Sequence, residues 1–449
     1  MKSFFNFCVF LIMFFLVFSS LYGEQTIDEQ RSDLIRYGLE PEVIDLVATL
    51  GMEKDVSHDT ELADLFKTTK SIAIRESIIK LFTAEKNIAI KDYALAILND
   101  PYETQSSTVQ SVFSYVIALK IVETLPAIRA ILKSEDLAYR DKAIAALGEL
   151  GQPEDAMYLL GYLDSEISGD DKQRLIIRQN IMTALGELKA MDTWDKLVEI
   201  VKDKDENSNI RATAAVAIGN MGKVEAIPVL STLFEDSDPV LRTASITALT
   251  NFDTPESNEI LIEGFKDPYY KVRLQTIIAM EKRKKSEAIP YLLYRAKNDP
   301  VDSVKIQAFE TLGAYSTDET KTWLRNVFID EKSSDTFRLK AASTLLQNSP
   351  EFIFPDIEKV SLQVVSDDKK KNFRYEIGKL VVAANTDQKS SSIASAFLSS
   401  KDVLTKSIGL DMYLKNKYPE LKNVVEGISA DEKLGALQRR AKKILSETN

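Results

Sequence analysis

Apolar and small residues recur at helical spacing along most of the 449-residue chain, and the recurrence is itself repeated. The run Arg140-Asp141-Lys142-Ala143-Ile144-Ala145-Ala146-Leu147-Gly148-Glu149-Leu150 aligns with Arg178-Gln179-Asn180-Ile181-Met182-Thr183-Ala184-Leu185-Gly186-Glu187-Leu188. Further copies begin at Arg211, Arg242, Arg273, Lys305 and Arg338, so these basic residues stand 31 to 38 positions apart. Weaker copies begin at Arg75, Gln110, Arg374 and Lys406, and the tail from Lys433 is a candidate twelfth. With the basic residue numbered zero, apolar or small residues fall at −1, +3, +6, +7 and +10, one stripe of a helix. A partner helix is predicted upstream of each copy, for example over 224–234, 255–265 and 287–296. Pro126, Pro228 and Pro290 lie near the starts of three such helices, where a missing N–H matters least. Acidic turns divide the two helices of a pair: Glu235-Asp236-Ser237-Asp238-Pro239, Asp267-Pro268 and Asp299-Pro300. Asp is a natural N-cap, and a residue before proline leaves the helix. No stretch alternates with period two, so strands are not expected.

One such pair cannot bury both of its faces alone; stacked neighbours build a continuous core. The Asp-rich turn, the apolar-Arg helix start and the Ala-x-x-Ala-Leu-Gly ending resemble the HEAT repeats, specifically the bacterial type also found in phycobilisome lyases. The resemblance is clearest over 125–345 and extends from Ile27 to the C-terminus. It implies an all-α fold, a right-handed α-solenoid of about eleven to twelve stacked helix pairs. The expected divisions are a signal peptide at 1–23, divergent repeats at 24–124, core repeats at 125–349, and divergent repeats with a cap at 350–449. Position +8 departs from glycine at Thr250, Glu281 and Leu346, and the segment 352–367 is longer and carries Pro355.

The N-terminus changes the picture of where the protein works. Met1-Lys2 precedes a nearly unbroken apolar run over 4–18, and Gly23 stands before Glu24. This is the layout of a secretory signal peptide, with a mature start expected near Glu24; the alternative is an uncleaved anchor, barely long enough to span a bilayer. The expectation is an exported protein, periplasmic or secreted, with a mature form that does not span the membrane. The lone Cys8 lies in the discarded segment, so no disulfide is expected. With one His and one Cys, no zinc site of Cys/His type can be assembled, and no cofactor is expected. A formal charge of −11, from 57 Lys+Arg against 68 Asp+Glu, argues against nucleic acid.

Candidate chemistry is sparse. Arg140, Arg178, Arg211, Arg242, Arg273, Lys305 and Arg338 form a ladder, read as structural because Arg's planar fork suits a carboxylate in the turn of its own or the adjacent repeat. His58, inside Ser57-His58-Asp59-Thr60, is not a triad member, since triads meet in space rather than as sequence neighbours; Asp59 or Thr60 is expected as an N-cap. Asp203-Lys204-Asp205-Glu206-Asn207-Ser208-Asn209 begins like a calcium loop but has Ser208 where the loop needs Gly and Ala214 where it needs the bidentate Glu. Lys282-Arg283-Lys284-Lys285 is the one dense basic run, expected as a solvated turn. Trp194 and Trp323 are expected in the core. Positions +2, +5 and +9 lie off the buried stripe and carry few charges. Asn180, Thr183, Thr213, Val216, Thr247, Gln275 and Ile278 are the expected partner-binding positions, with Val216 and Ile278 as exposed anchors; the resemblance implies that the second helix of each pair lines the concave face. The function expected is a non-enzymatic scaffold of the bacterial cell envelope that holds one or more envelope proteins. The alternatives are a bilin lyase, implied by the family resemblance alone, and an adaptor for an envelope polymer or lipid using the 282–285 run.

Overall fold

In a computed structural model of the chain, residues 25–134, 136, 138–164, 170–384 and 387–448 are described. The expected signal segment lies outside them. The described residues form 26 α-helices linked by short 3-10 turns, and they include no strand. Taken in order, 26 helices make thirteen consecutive pairs, one or two more than the register of basic residues counted. The uncounted pair is Ile27–Tyr37 with Glu40–Glu53. Its second helix opens on Glu40-Pro41-Glu42 and has no basic residue to mark it.

The chain divides between Val229 and Leu230 into two compact units. In the first, the second helices of successive pairs, Arg140–Leu150, Asp171–Leu188 and Ser208–Met221, stack on one another. In the second, Pro239–Leu249, Tyr270–Arg283, Asp302–Tyr315 and Asp335–Asn348 do the same. Each of these helices also packs against a helix upstream, so it is covered on more than one side. That explains why burial is wider than one stripe: the +4 residues Met182, Ala215, Ile246 and Ile277 are buried along with the expected set. Ala244, at a +2 position, is buried for the same reason.

The Gly at +8 has a specific job. A Cβ added to Gly148 would lie 2.8 Å from the Cα of Ala184, and one added to Gly186 would lie 2.7 Å from the Cα of Ala217. Ala184 and Ala217 are the +6 residues of the following copies. Gly at +8 and Ala at +6 therefore let successive helices approach backbone to backbone.

Helix ends follow local chemistry. Asn207, Asp238, Ser334 and Asp402 accept backbone N–H groups at the starts of second helices. At the other end, Lys54, Lys86, Lys189, Lys284 and Lys417 occupy left-handed C-cap positions with φ between 47° and 57°. Gly222 fills the same place after Ser208–Met221 with φ 75°. Lys here trades backbone ease for a cation beside the helix's negative end.

Candidate docking faces and the arginine rungs

The ladder residues are consumed inside the fold. Arg273 Nε donates to Asp299 Oδ2 at 2.7 Å and its NH2 to Asp299 Oδ1 at 2.8 Å, while NH1 donates to the carbonyls of Asp267 and Pro268. The guanidinium thus ties its own turn to the Asp of the next one, 26 residues on. Arg242 repeats the arrangement, with Nε and NH2 on Asp267 and NH1 on the carbonyls of Asp236 and Ser237. Both carboxylates also cap their turns, Asp267 accepting Tyr269 N–H and Asp299 accepting Val301 N–H. Burial pushes the Asp299 carboxyl upward, but hydrogen bonds from Arg273 and Val301 outweigh it and hold the group below its ordinary range.

The other ladder members vary. Arg178 forks onto Glu206, and Arg211 Nε donates to the Val201 carbonyl at 3.1 Å. Arg338 Nε donates to the Phe328 carbonyl at 2.9 Å, and its guanidinium lies over the Phe373 ring. Arg140 reaches the Ser134 carbonyl and covers Tyr162, whereas Lys305 pairs loosely with Asp302 at 3.4 Å.

Several sequence expectations find different surroundings. His58 itself occupies the N-cap of Asp59–Thr68 and makes no side-chain capping bond, so neither Asp59 nor Thr60 is the cap. Its ring is buried, with Nδ1 3.7 Å from Glu61 and Nε2 without a hydrogen bond. Asp59 instead accepts from Asn87 Nδ2. The Asp203–Asn209 turn spends Glu206 on Arg178. Among the described residues, no group of three or more His, Cys, Asp or Glu side chains is placed to hold a metal ion.

The basic run 282–285 is not one solvated patch. Arg283 ends the Tyr270–Arg283 helix with its side chain 5% exposed, and donates to the carbonyls of Leu249 and Phe252 and to Asn258 Oδ1. It closes the C-terminal end of the preceding second helix, and burial lowers its pKa. Lys285 pairs with Asp253 at 2.9 Å. Only Lys282 and Lys284 are left exposed, because the helix continues two residues into the run. Trp194 is buried beneath Lys223, whereas Trp323 is half-buried with its ring edge-on to Phe309.

The strip positions are milder than a free helix face. In the first unit Thr183 is exposed, and Asn180, Thr213 and Val216 are half-buried. In the second, Thr247, Gln275 and Ile278 are half-buried. Val216 and Ile278 are therefore half-buried rather than the exposed anchors expected. The Thr183, Thr213 and Thr247 hydroxyls donate to the carbonyls of Gln179, Asn209 and Thr243, four residues back. Their donors are already used within the helix.

A family profile described as "Spirochaete HEAT repeat protein" matches residues 35–444. The chain belongs to this family. The spirochaete HEAT repeat chain is also similar to deoxyhypusine hydroxylase from Candida albicans, 30% identical over 135 residues, which is 30% of this chain and 40% of the relative. The hydroxylase from Eremothecium gossypii is 28% identical over 138 residues, 30% of this chain and 41% of that one. The chain thus spans well under half the length of the curated relatives it matches. Among solved structures, Kap121p aligns with 92% of this chain and 52% of its own at 13% identity and TM-score 0.42. Kap121p bound to Nup53p aligns at 12% identity, 93% and 53% coverage and TM-score 0.42.

Among the described residues of this HEAT repeat protein, no helix is long and apolar enough to cross a membrane. What the sequence did not reveal is that the rung at Arg374 is built differently from those at Arg242 and Arg273. The only sequence signal was Thr405, three residues after the turn Asp402.

Proposed function

We propose that this spirochaete HEAT repeat protein is an exported, non-enzymatic scaffold that docks one or more envelope proteins against the second helices of its pairs. One observation carries the reading: the strip positions on these helices are uncharged, and their Thr hydroxyls donate to their own backbone, so a partner meets a strip with little to desolvate. The ladder cations are held by turns, backbone carbonyls and aromatic rings of the repeats, which leaves them to packing rather than catalysis. The match to the hydroxylases covers 30% of this chain and 40% of the relative, so their activity is not carried over. Export rests on the 1–23 pattern.

The test is capture from envelope fractions. Thr213→Glu with Thr247→Glu should abolish capture of a stoichiometric protein partner while far-UV circular dichroism stays unchanged, because a docked partner would bury unpaired charge. The control is Glu259→Lys with Glu263→Lys, exposed on the first helix Pro255–Gly264. Capture that survives the first pair and fails with the second would move the docking face to the first helices. Intact mass of exported protein checks the mature start near Glu24.

A further inference from the structure

The second unit contains a cavity of about 550 Å³ between the turn before Lys371–Ala383 and the turn before Val403–Asn416. It sits where an Arg–Asp rung would close the junction, and here the rung is opened. Arg374 keeps the first half of the pattern, with NH1 donating to the carbonyls of Val364 and Asp367. The second half is interrupted by Thr405. Its hydroxyl accepts from Arg374 Nε at 2.8 Å and donates to Asp402 Oδ2 at 2.7 Å, so it stands between the two charges. Lys371 holds the other Asp402 oxygen at 2.9 Å. As a result Arg374 NH2 faces Asp402 at 3.7 Å, too far for a hydrogen bond, and makes none among the described residues. In the rungs at Arg242 and Arg273 the same nitrogen is bonded to a carboxylate at 3.1 Å and 2.8 Å. The Arg374 side chain is 1% exposed, and its NH2 edge is left open to the cavity, where an oxygen acceptor from outside the chain can meet it.

The rest of the lining defines what that acceptor belongs to. Arg374 and Lys401 supply two cations, Asp368 and Asp402 two anions, and Ser366, Ser399 and Ser400 three hydroxyls. Asp402 is ionised: burial works upward, but hydrogen bonds from Thr405 and Lys371 hold it well below the ordinary carboxylate range. A simple anion entering the cavity would meet two carboxylates, and a simple cation would meet Arg374 and Lys401. A molecule carrying both charges a few ångströms apart is opposed by neither. The volume is within the range of small-molecule sites, roughly 300–1,000 Å³, and exceeds what one ion fills.

We propose that this cavity binds a small zwitterion, an α-amino acid or dipeptide, with its carboxylate on Arg374 NH2 and Lys401 and its ammonium toward Asp368 and Asp402. The proposal concerns the second unit alone and does not rest on the docking of an envelope protein. Titration calorimetry of the purified full chain with glycylglycine and with glycine tests it, with acetate and ethylammonium as single-charge probes. The expected result is saturable one-to-one binding of a zwitterion, at least tenfold tighter than either single-charge probe. Exposed Lys401→Glu should weaken it at least tenfold, and Ser366→Trp should block it by filling the cavity, both with unchanged circular dichroism. The better binder of the two zwitterions identifies amino acid or dipeptide. No saturable heat with either zwitterion overturns the proposal, as does acetate binding as tightly as glycylglycine, or zwitterion binding unmoved by both substitutions.

Discussion

The two units stack the same kind of helix pair, yet particular junctions within them are closed with different chemistry. In the first unit Gly148 meets Ala184 and Gly186 meets Ala217, backbone against backbone. In the second, Gly313 at +8 likewise faces the +6 residue Thr344, but on Tyr270–Arg283 the +8 position is Glu281, whose carboxylate accepts from Gln307 and Thr311, and the turns around it are tied by the Arg242–Asp267 and Arg273–Asp299 forks. A close apolar approach has no room for added volume, whereas a polar closure accepts changes of volume but not the loss of one partner. The same repeat can therefore be sensitive to opposite substitutions in its two halves.

Removing one partner of a buried fork should produce the largest effect. Asp299→Ala leaves the 4% exposed Arg273 without its carboxylate, and a broken buried pair typically costs about 3–5 kcal/mol. Replacing both partners, Arg273→Met with Asp299→Leu, should recover most of the loss. Urea unfolding decides this, and a single substitution no worse than the double would show that the fork contributes little.

Next comes volume in the first unit. Gly186→Ala, or Ala217→Leu from the other side of the same contact, should destabilise by about 1–3 kcal/mol through overpacking. Gly161, on the Pro153–Asp164 helix with open space around its Cβ direction, should respond in the opposite sense, with Gly161→Ala gaining about 0.5–1 kcal/mol. If both glycines behave alike, close approach is not what Gly186 serves.

Acid should separate regions by sign. Asp299 and Asp402 are held below their ordinary values in the fold, so their contribution is present above the unfolded carboxylate range and is lost as pH falls through the folded values. Glu85 is raised, by burial first and then by the charges of Asp59 and Asp55. Its ionised form opposes folding, so that penalty is relieved as pH falls through its folded value toward the unfolded one. Hydrogen exchange followed from pH 7 downward should show protection around 85 holding or rising first, above the ordinary carboxylate range, and protection around 299 and 402 lost only later, as pH falls below that range. Uniform loss in all three places would contradict the assigned signs.

The smallest effect belongs to the C-caps. Lys189 holds φ 50° where Gly222 holds the left-handed conformation without a side chain. Lys189→Gly should stabilise the first unit by a few tenths to about 1 kcal/mol, partly offset by the added freedom of the unfolded chain. Thermal unfolding measures the balance.

Much of the helical layout was legible in the chain itself, because its causes are local. Apolar spacing marks a helix face, Asp and Pro mark the turns, and both act within a few residues. That is why the second helices beginning near Arg140, Arg211 and Arg338 were expected where they occur. The pair at 27–53 escaped because its second helix has Glu40-Pro41-Glu42 where the others have a basic start. The strip along Thr183, Thr213 and Thr247 was visible as a low-charge pattern, but its partial burial was not, since that depends on the helix stacked beside it.

The sequence by itself thus determined that the protein is built of repeated helix pairs, where most of the turns lie, and one buried stripe of each second helix. Tertiary structure alone decided which groups meet across 25 to 34 residues: Arg242 with Asp267, Arg283 with the carbonyls closing the previous helix, and Thr405 between Arg374 and Asp402. The physical reason is range. A helix is fixed by bonds four residues apart, whereas the partner of a guanidinium depends on how neighbouring pairs within a unit are rotated and spaced.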